Sequence, residues 1–176
     1  MDVTKEQKED CINILTNYVN QNKEKLYRLS YSYLKQEELA LDMIQEAIVK
    51  ALAKVHTLRN PEYIKTWFYR ILINECLSAL RKKKQIEEWD RQDFDIAYEE
   101  KDTVDAMLLY EKIDQLKPKL KTVILLRYFE DMKIEEIAKA TATNINTVKS
   151  RLYKALEKLK QDLKEEEKNE KTFQDS

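Results

Sequence analysis

The stretch 146–154 reads NTVKSRLYK. On a helix, which advances about 100° per residue, Asn146, Thr147, Ser150, Tyr153 and Lys154 share one side, with Lys149 and Arg151 on its flanks. Amide, hydroxyl, phenol, ammonium and guanidinium groups on one face are the donors that meet base edges and phosphates. Ile145, Val148, Leu152, Leu156 and Leu159 line up opposite them as a narrow apolar stripe, so this helix must pack against something. Upstream, Ile134, Ile137 and Ala138 make a second short stripe. Residues 141–144 separate the two, with Asn144 placed to cap the second helix. Two helices around a tight turn, the second longer and polar-basic outside, read as a helix-turn-helix. A packed surface helix with solvated charges has the same periodicity, so the pattern alone leaves both readings open.

Other chemistries find little support. The 176 residues contain no glycine, two prolines, one histidine (His56) and two cysteines. A phosphate-cradling loop or a dinucleotide fingerprint needs glycine for close backbone approach. Cys11 and Cys76 are far apart and form no CxxC pair, so neither a zinc site nor a Cys-His nucleophile can be assembled. No metal, no cofactor, no small-molecule substrate and no enzymatic activity are expected. Lys and Arg total 32 against 33 Asp and Glu, a net charge of -1, so any DNA contact must come from local patches. The charges are sorted in that way: 81–84 is RKKK and 87–105 is strongly acidic. No apolar run is long enough to cross a bilayer, and the charged start MDVTKEQKED does not resemble a signal peptide. Free thiols in a reducing cytoplasm are the expectation.

The elements that must position these groups are all helical by period. A short helix is possible within 1–20, and a second at 23–34 carries Leu26, Leu29, Tyr33 and Leu34 on one side. Residues 39–55 follow with a wide stripe of Met43, Ile44, Ala47, Ile48, Ala51, Leu52 and Val55. Asp42 and Glu46, one turn apart, make an acidic pair beside Gln45, which composition alone reads as a solvated face. After a break at 56–60, Asn60 and Pro61 supply a cap and a first-turn proline for a helix over 61–84. Its buried stripe is expected from Ile64, Trp67, Phe68, Ile71, Leu72, Leu77 and Leu80, leaving Tyr63, Lys65, Tyr69, Arg70 and Asn74 elsewhere. Residues 85–105 hold nine acids against two bases and no helical stripe, and read as a linker. Helices at 106–116 and 119–129 follow, the latter with Val123, Leu126 and Phe129 inward, and 165–176 reads as a frayed charged tail. The expected architecture is all-α: two small helical domains, 1–84 and 106–164, joined by an acidic linker, the second a helix-turn-helix domain.

Two segments carry a family resemblance. LKPKLKTVILLRYFEDMKIEEIAKATATNINTVKSRLYKALEKL resembles the domain of bacterial sigma factors that reads the minus-thirty-five element. ALDMIQEAIVKALAKVHTLRNPEYIKTWFYRILINECLSALRKKK resembles their core-binding and minus-ten-reading domain. Both in this order, with only a short acidic linker between, look like the extracytoplasmic-function (ECF) group. The resemblance implies that Asp42, Gln45 and Glu46 face core RNA polymerase. It implies that the loop with Leu58, Arg59 and Asn60 receives a minus-ten base turned out of the stack, in a pocket lined by Asn74. Trp67, Arg81 and Lys82 fall on the minus-ten side as well. Trp67-Phe68 matches a Trp pair that wedges DNA open in housekeeping sigmas, so melting should be weaker here. Asn146, Thr147, Lys149, Ser150, Arg151, Tyr153 and Lys154 fall on the minus-thirty-five helix.

Three positions depart from the pattern: Ala142 stands for the turn glycine, Lys133 for a capping serine whose place Asp131 would take, and Ser78 for an aspartate. The implied partners are core RNA polymerase, promoter DNA and an anti-sigma factor, often membrane-borne in this group. A stand-alone helix-turn-helix regulator is the rival, and it requires a symmetric dimer on a palindromic site.

Overall fold

The computed structural model describes residues 5–87 and 104–174. Among the described residues the chain is all-α, with eight α-helices and no strand. Contacts divide it into two units. The first contains α1 (Lys5–Gln21), α2 (Lys23–Leu34), α3 (Glu37–Lys54) and α4 (Ile64–Glu87). Single 3-10 turns, Val55–Thr57 and Pro61–Tyr63, fill the connection between α3 and α4. The second contains α5 (Val104–Gln115), α6 (Pro118–Ile124) and α8 (Ile145–Gln174), with the opening turn of α7 (Ile134–Thr141). Most of the expected linker, residues 88–103, lies outside the described residues.

In the first unit α2, α3 and α4 pack on one another and α1 lies against α4. The inward line of α3 is Ala40, Ala47 and Ala51, small residues that let its neighbours approach closely. Leu26, Leu29, Tyr33 and Leu34 of α2 are buried, as their spacing requires. On α4 the buried arc is wider than its expected stripe and rotated. Thr66, Phe68, Tyr69, Leu72, Ile73 and Cys76 are buried, while Trp67, Ile71, Leu77 and Leu80 are half-buried. Tyr69, expected outside, is 0% exposed. Three helices surround α4, so a single-stripe reading underestimates what it must hide. Tyr18 of α1 meets Phe68 edge-on at 6.0 Å. Burial pushes the Cys76 thiol up to about 11, partly offset by a hydrogen bond with Ser30. It is a core residue, and no group of side chains suited to a metal occurs among the described residues.

In the second unit, α6 opens on Pro118 and widens into a π-helical turn at Leu125–Phe129. Glu130 N–H donates to the Leu125 carbonyl at 3.1 Å, an i to i+5 bond. The extra residue in that turn changes the face on display. Leu125 and Leu126 are buried, whereas Phe129, expected inward, is exposed and rests 5.8 Å from the Tyr110 ring.

Without glycine, left-handed backbone positions fall to ordinary residues: Lys35 (φ 54°), Asp131 (φ 50°) and Ala142 (φ 52°). Lys35 closes α2, its N–H donating to the Tyr31 carbonyl. Asp131 occupies such a position and is not the cap expected of it. The start of α7 is held instead by Glu136, whose Oε2 accepts from Lys133 N–H at 2.7 Å. That is the reciprocal half of a capping box. Asn144 caps α8 as its type and place require, its Oδ1 accepting from Thr147 N–H at 2.7 Å. The expected fray after 165 is absent: α8 runs to Gln174. Lys158 pairs with Asp162 at 2.7 Å one turn on, and Lys112 of α5 pairs with Glu166 at 2.5 Å. That partner holds the Lys112 ammonium above the ordinary lysine range.

Two stability outcomes follow from this turn. Ala142→Gly should raise the denaturation midpoint, by an amount near the roughly 1 kcal/mol that a Cβ costs in the left-handed region; a lowered midpoint would contradict the strain. Asn144→Ala should destabilise by about 1 kcal/mol through loss of the cap, read from urea unfolding, and an unchanged midpoint would show that the cap contributes nothing.

Candidate nucleic-acid interface

The seam that fixes α8 is Val148, Leu152, Ala155 and Leu159, all buried. It differs from the expected stripe at two places. Ile145 and Leu156 are 40% and 44% exposed, and Ala155 takes the inward place. Spacings of four, three and four residues keep one line along a helix, and Leu156 lies about 70° off it. Burial of that line against α6 turns the opposite face to solvent. Asn146, Lys149, Ser150, Tyr153 and Lys154 are exposed, and Thr147 and Arg151 flank them half-buried. Tyr153 is 71% exposed. The structure thus gathers all seven candidates of this helix along its outward side and flanks.

A second group lies on α4 and the loop before it. Asn60 Oδ1 accepts from Glu62 N–H at 3.0 Å, and Pro61 takes the first position of the turn. The cap commits the Asn60 side-chain oxygen to the backbone. His56, Thr57 and Arg59 are exposed. Leu58 is only 6% exposed, its side chain turned into the core, where it anchors the loop. A loop has no periodicity, and nothing in the sequence distinguished the inward Leu58 from the outward Arg59.

Asn74, Arg81 and Lys82 are exposed along α4. Arg70, absent from the sequence candidates, is exposed one turn before Asn74, and Arg81 falls near the same line. The four-residue spacing of Arg70 and Asn74 was the available signal. Trp67 is half-buried, and its Nε1–H donates to Thr57 Oγ1 at 3.3 Å.

The third group is on α3. Asp42, Gln45 and Glu46 are exposed together. Leu41, Val49 and Leu52 are also exposed beside them, at 43%, 63% and 40%. Of these only Leu52 belonged to the expected stripe; Leu41 and Val49 lie outside it, and together they make the acidic side a mixed polar and apolar surface. Lys50 bonds Glu75 of α4 at 2.7 Å and fixes the edge of that surface.

Two family models match the chain in succession. Residues 18–86 match the model for Sigma-70 region 2, and residues 106–159 match the model for Sigma-70, region 4. The chain is 44% identical over 155 residues to the RNA polymerase sigma factor SigV of Bacillus subtilis, covering 88% of this chain and 93% of that protein. It is 28% identical to the ECF RNA polymerase sigma factor SigW of the same organism, covering 81% and 85%. In fold it is similar to the sigma factor RpoE of Bartonella quintana, solved in complex with the anti-sigma factor NepR. The TM-score there is 0.66 at 23% identity, covering 92% of this chain and 98% of that one. It is also similar to CnrH, solved with the cytosolic domain of CnrY, with a TM-score of 0.62 at 18% identity, covering 85% and 87%. With region 2 on the first unit, region 4 on the helix-turn-helix and relatives matched over most of their length, the chain belongs to the ECF family of RNA polymerase sigma factors, which direct transcription initiation and are not classical enzymes.

Proposed function

We propose that the three exposed groups divide the work of promoter-specific initiation. The observation that carries this reading is the sorting of the surface. An acidic and apolar face lies on α3, while exposed donors lie on α4 and on α8. Asp42, Gln45 and Glu46, with Leu41, Val49 and Leu52 around them, dock on a helical surface of core RNA polymerase. Arg59, Arg70 and Asn74, with the basic end of α4 at Arg81 and Lys82, hold the minus-ten element. Asn74 offers both a donor and an acceptor to a base turned out of the stack. Asn146, Thr147, Lys149, Ser150, Arg151, Tyr153 and Lys154 enter the major groove at the minus-thirty-five element. Lys149 and Lys154 serve phosphates or guanine acceptors. The bond-forming chemistry belongs to polymerase.

Such a protein works where the polymerase is, in the cytoplasm, and no helix of the described residues is long and apolar enough to cross a membrane. An anti-sigma factor holds it inactive, as the complexes of the two structural neighbours suggest. A membrane-borne inhibitor is consistent with the ECF group.

Asp42→Ala combined with Glu46→Ala should abolish pull-down of core polymerase while leaving the helical circular dichroism unchanged; undiminished pull-down would remove the docking assignment. Asn74→Ala should flatten base preference at one minus-ten position and leave dependence on the minus-thirty-five sequence as it was, measured by run-off transcription on a promoter panel. A uniform loss on every promoter would count against a base pocket.

A further inference from the structure

The loop between α3 and α4 is held by side chains and carbonyls used in an ordered way. Thr57 Oγ1 lies 2.8 Å from the Lys54 carbonyl and 3.3 Å from Trp67 Nε1. A hydroxyl has one proton and two lone pairs. The carbonyl can only accept, so the proton goes to Lys54 O, and a lone pair is left for the indole N–H. The two bonds are compatible and fix the hydroxyl rotor. Next along the chain, Leu58 N–H donates to the Val55 carbonyl at 3.1 Å, and the Leu58 side chain is buried. On the far side, the Cys11 thiol of α1 lies 4.0 Å from the Leu58 carbonyl, a weak contact that nonetheless sets α1 against the loop. The Asn60 cap then closes its exit into α4.

We propose that Trp67 is a positioning residue for minus-ten reading. Its indole N–H, through Thr57, holds the 55–60 loop in a ready-made shape that presents the exposed Arg59, and the ring is not a wedge driven between base pairs. The half-burial of Trp67 supports this, because a ring already bonded and partly covered by its own unit must break that arrangement before it can enter a base stack. The inference rests on the reading of this loop and Asn74 as the minus-ten base pocket.

The test uses the full chain with core polymerase, run-off transcription on promoters carrying single minus-ten substitutions, and the same promoters with the minus-ten region pre-opened by mismatches. Thr57→Val removes the acceptor, Trp67→Phe keeps a ring but removes the N–H, and Thr57→Ser keeps the hydroxyl. Thr57→Val and Trp67→Phe should each lower minus-ten discrimination about three- to ten-fold, the scale of one hydrogen bond. The double variant should be no worse than either, Thr57→Ser should match the parent, and the loss should persist on pre-opened templates. Helical circular dichroism and minus-thirty-five dependence should not move. Unchanged discrimination in Thr57→Val overturns the proposal. So does a Trp67→Phe defect that pre-opened templates relieve, which is the signature of a wedge. If Asn74→Ala leaves minus-ten preference intact, the pocket reading itself fails, and the positioning role falls with it.

Discussion

The second unit depends on the burial of one line of side chains, Val148, Leu152, Ala155 and Leu159. A helix can hide one line only by showing the opposite one. Once those four are packed, Lys149, Ser150, Tyr153 and Lys154 have no choice but solvent or a ligand. On the proposed reading, specificity for DNA is a by-product of packing: the apolar residues set the rotation of the helix, and the polar residues inherit an address. The same logic governs α3. Its alanine line goes inward, and the acids and surplus aliphatics beside them are left outside.

The absence of glycine is the second constraint. A helix-turn-helix needs a sharp change of direction between its two helices, and here Ala142 takes the left-handed position. The strain is of order 1 kcal/mol, comparable to what the Asn144 cap returns two residues on in the same turn. Lys35 and Asp131 meet the same demand elsewhere. The chain thus keeps its turns sharp with ordinary residues and secures them with side-chain hydrogen bonds from Glu136 and Asn144.

What the sequence revealed and what it hid have physical reasons. The helix-turn-helix, its Asn144 cap and the Asn60-Pro61 start were legible because each rests on residue type at a fixed offset. The inward turn of Leu58 was not, since a loop carries no period. Phe129 was misplaced because one extra residue in a π-helical turn rotates everything after it. Tyr69 was misplaced because α4 is surrounded, and a helix with several neighbours buries more than one stripe. The continuation of α8 to Gln174 escaped notice because it has no apolar stripe of its own. It is held by Lys158–Asp162 and by the ion pair of Glu166 with Lys112, a partner 54 residues away. Among the candidates, the seven residues of α8 lie on its outward side and flanks, Leu58 is buried, and Arg70 is exposed one turn before Asn74.

The account stands on two helical units contacting one promoter together while α3 engages polymerase. The most direct measurement is start-site mapping with purified core RNA polymerase, with and without the full chain, on genomic fragments. Initiation at a small set of discrete sites that share two separated sequence elements, dependent on the chain, is the predicted result. Initiation that the chain leaves unaltered, or that maps to a single palindromic element bound by a dimer, would contradict it.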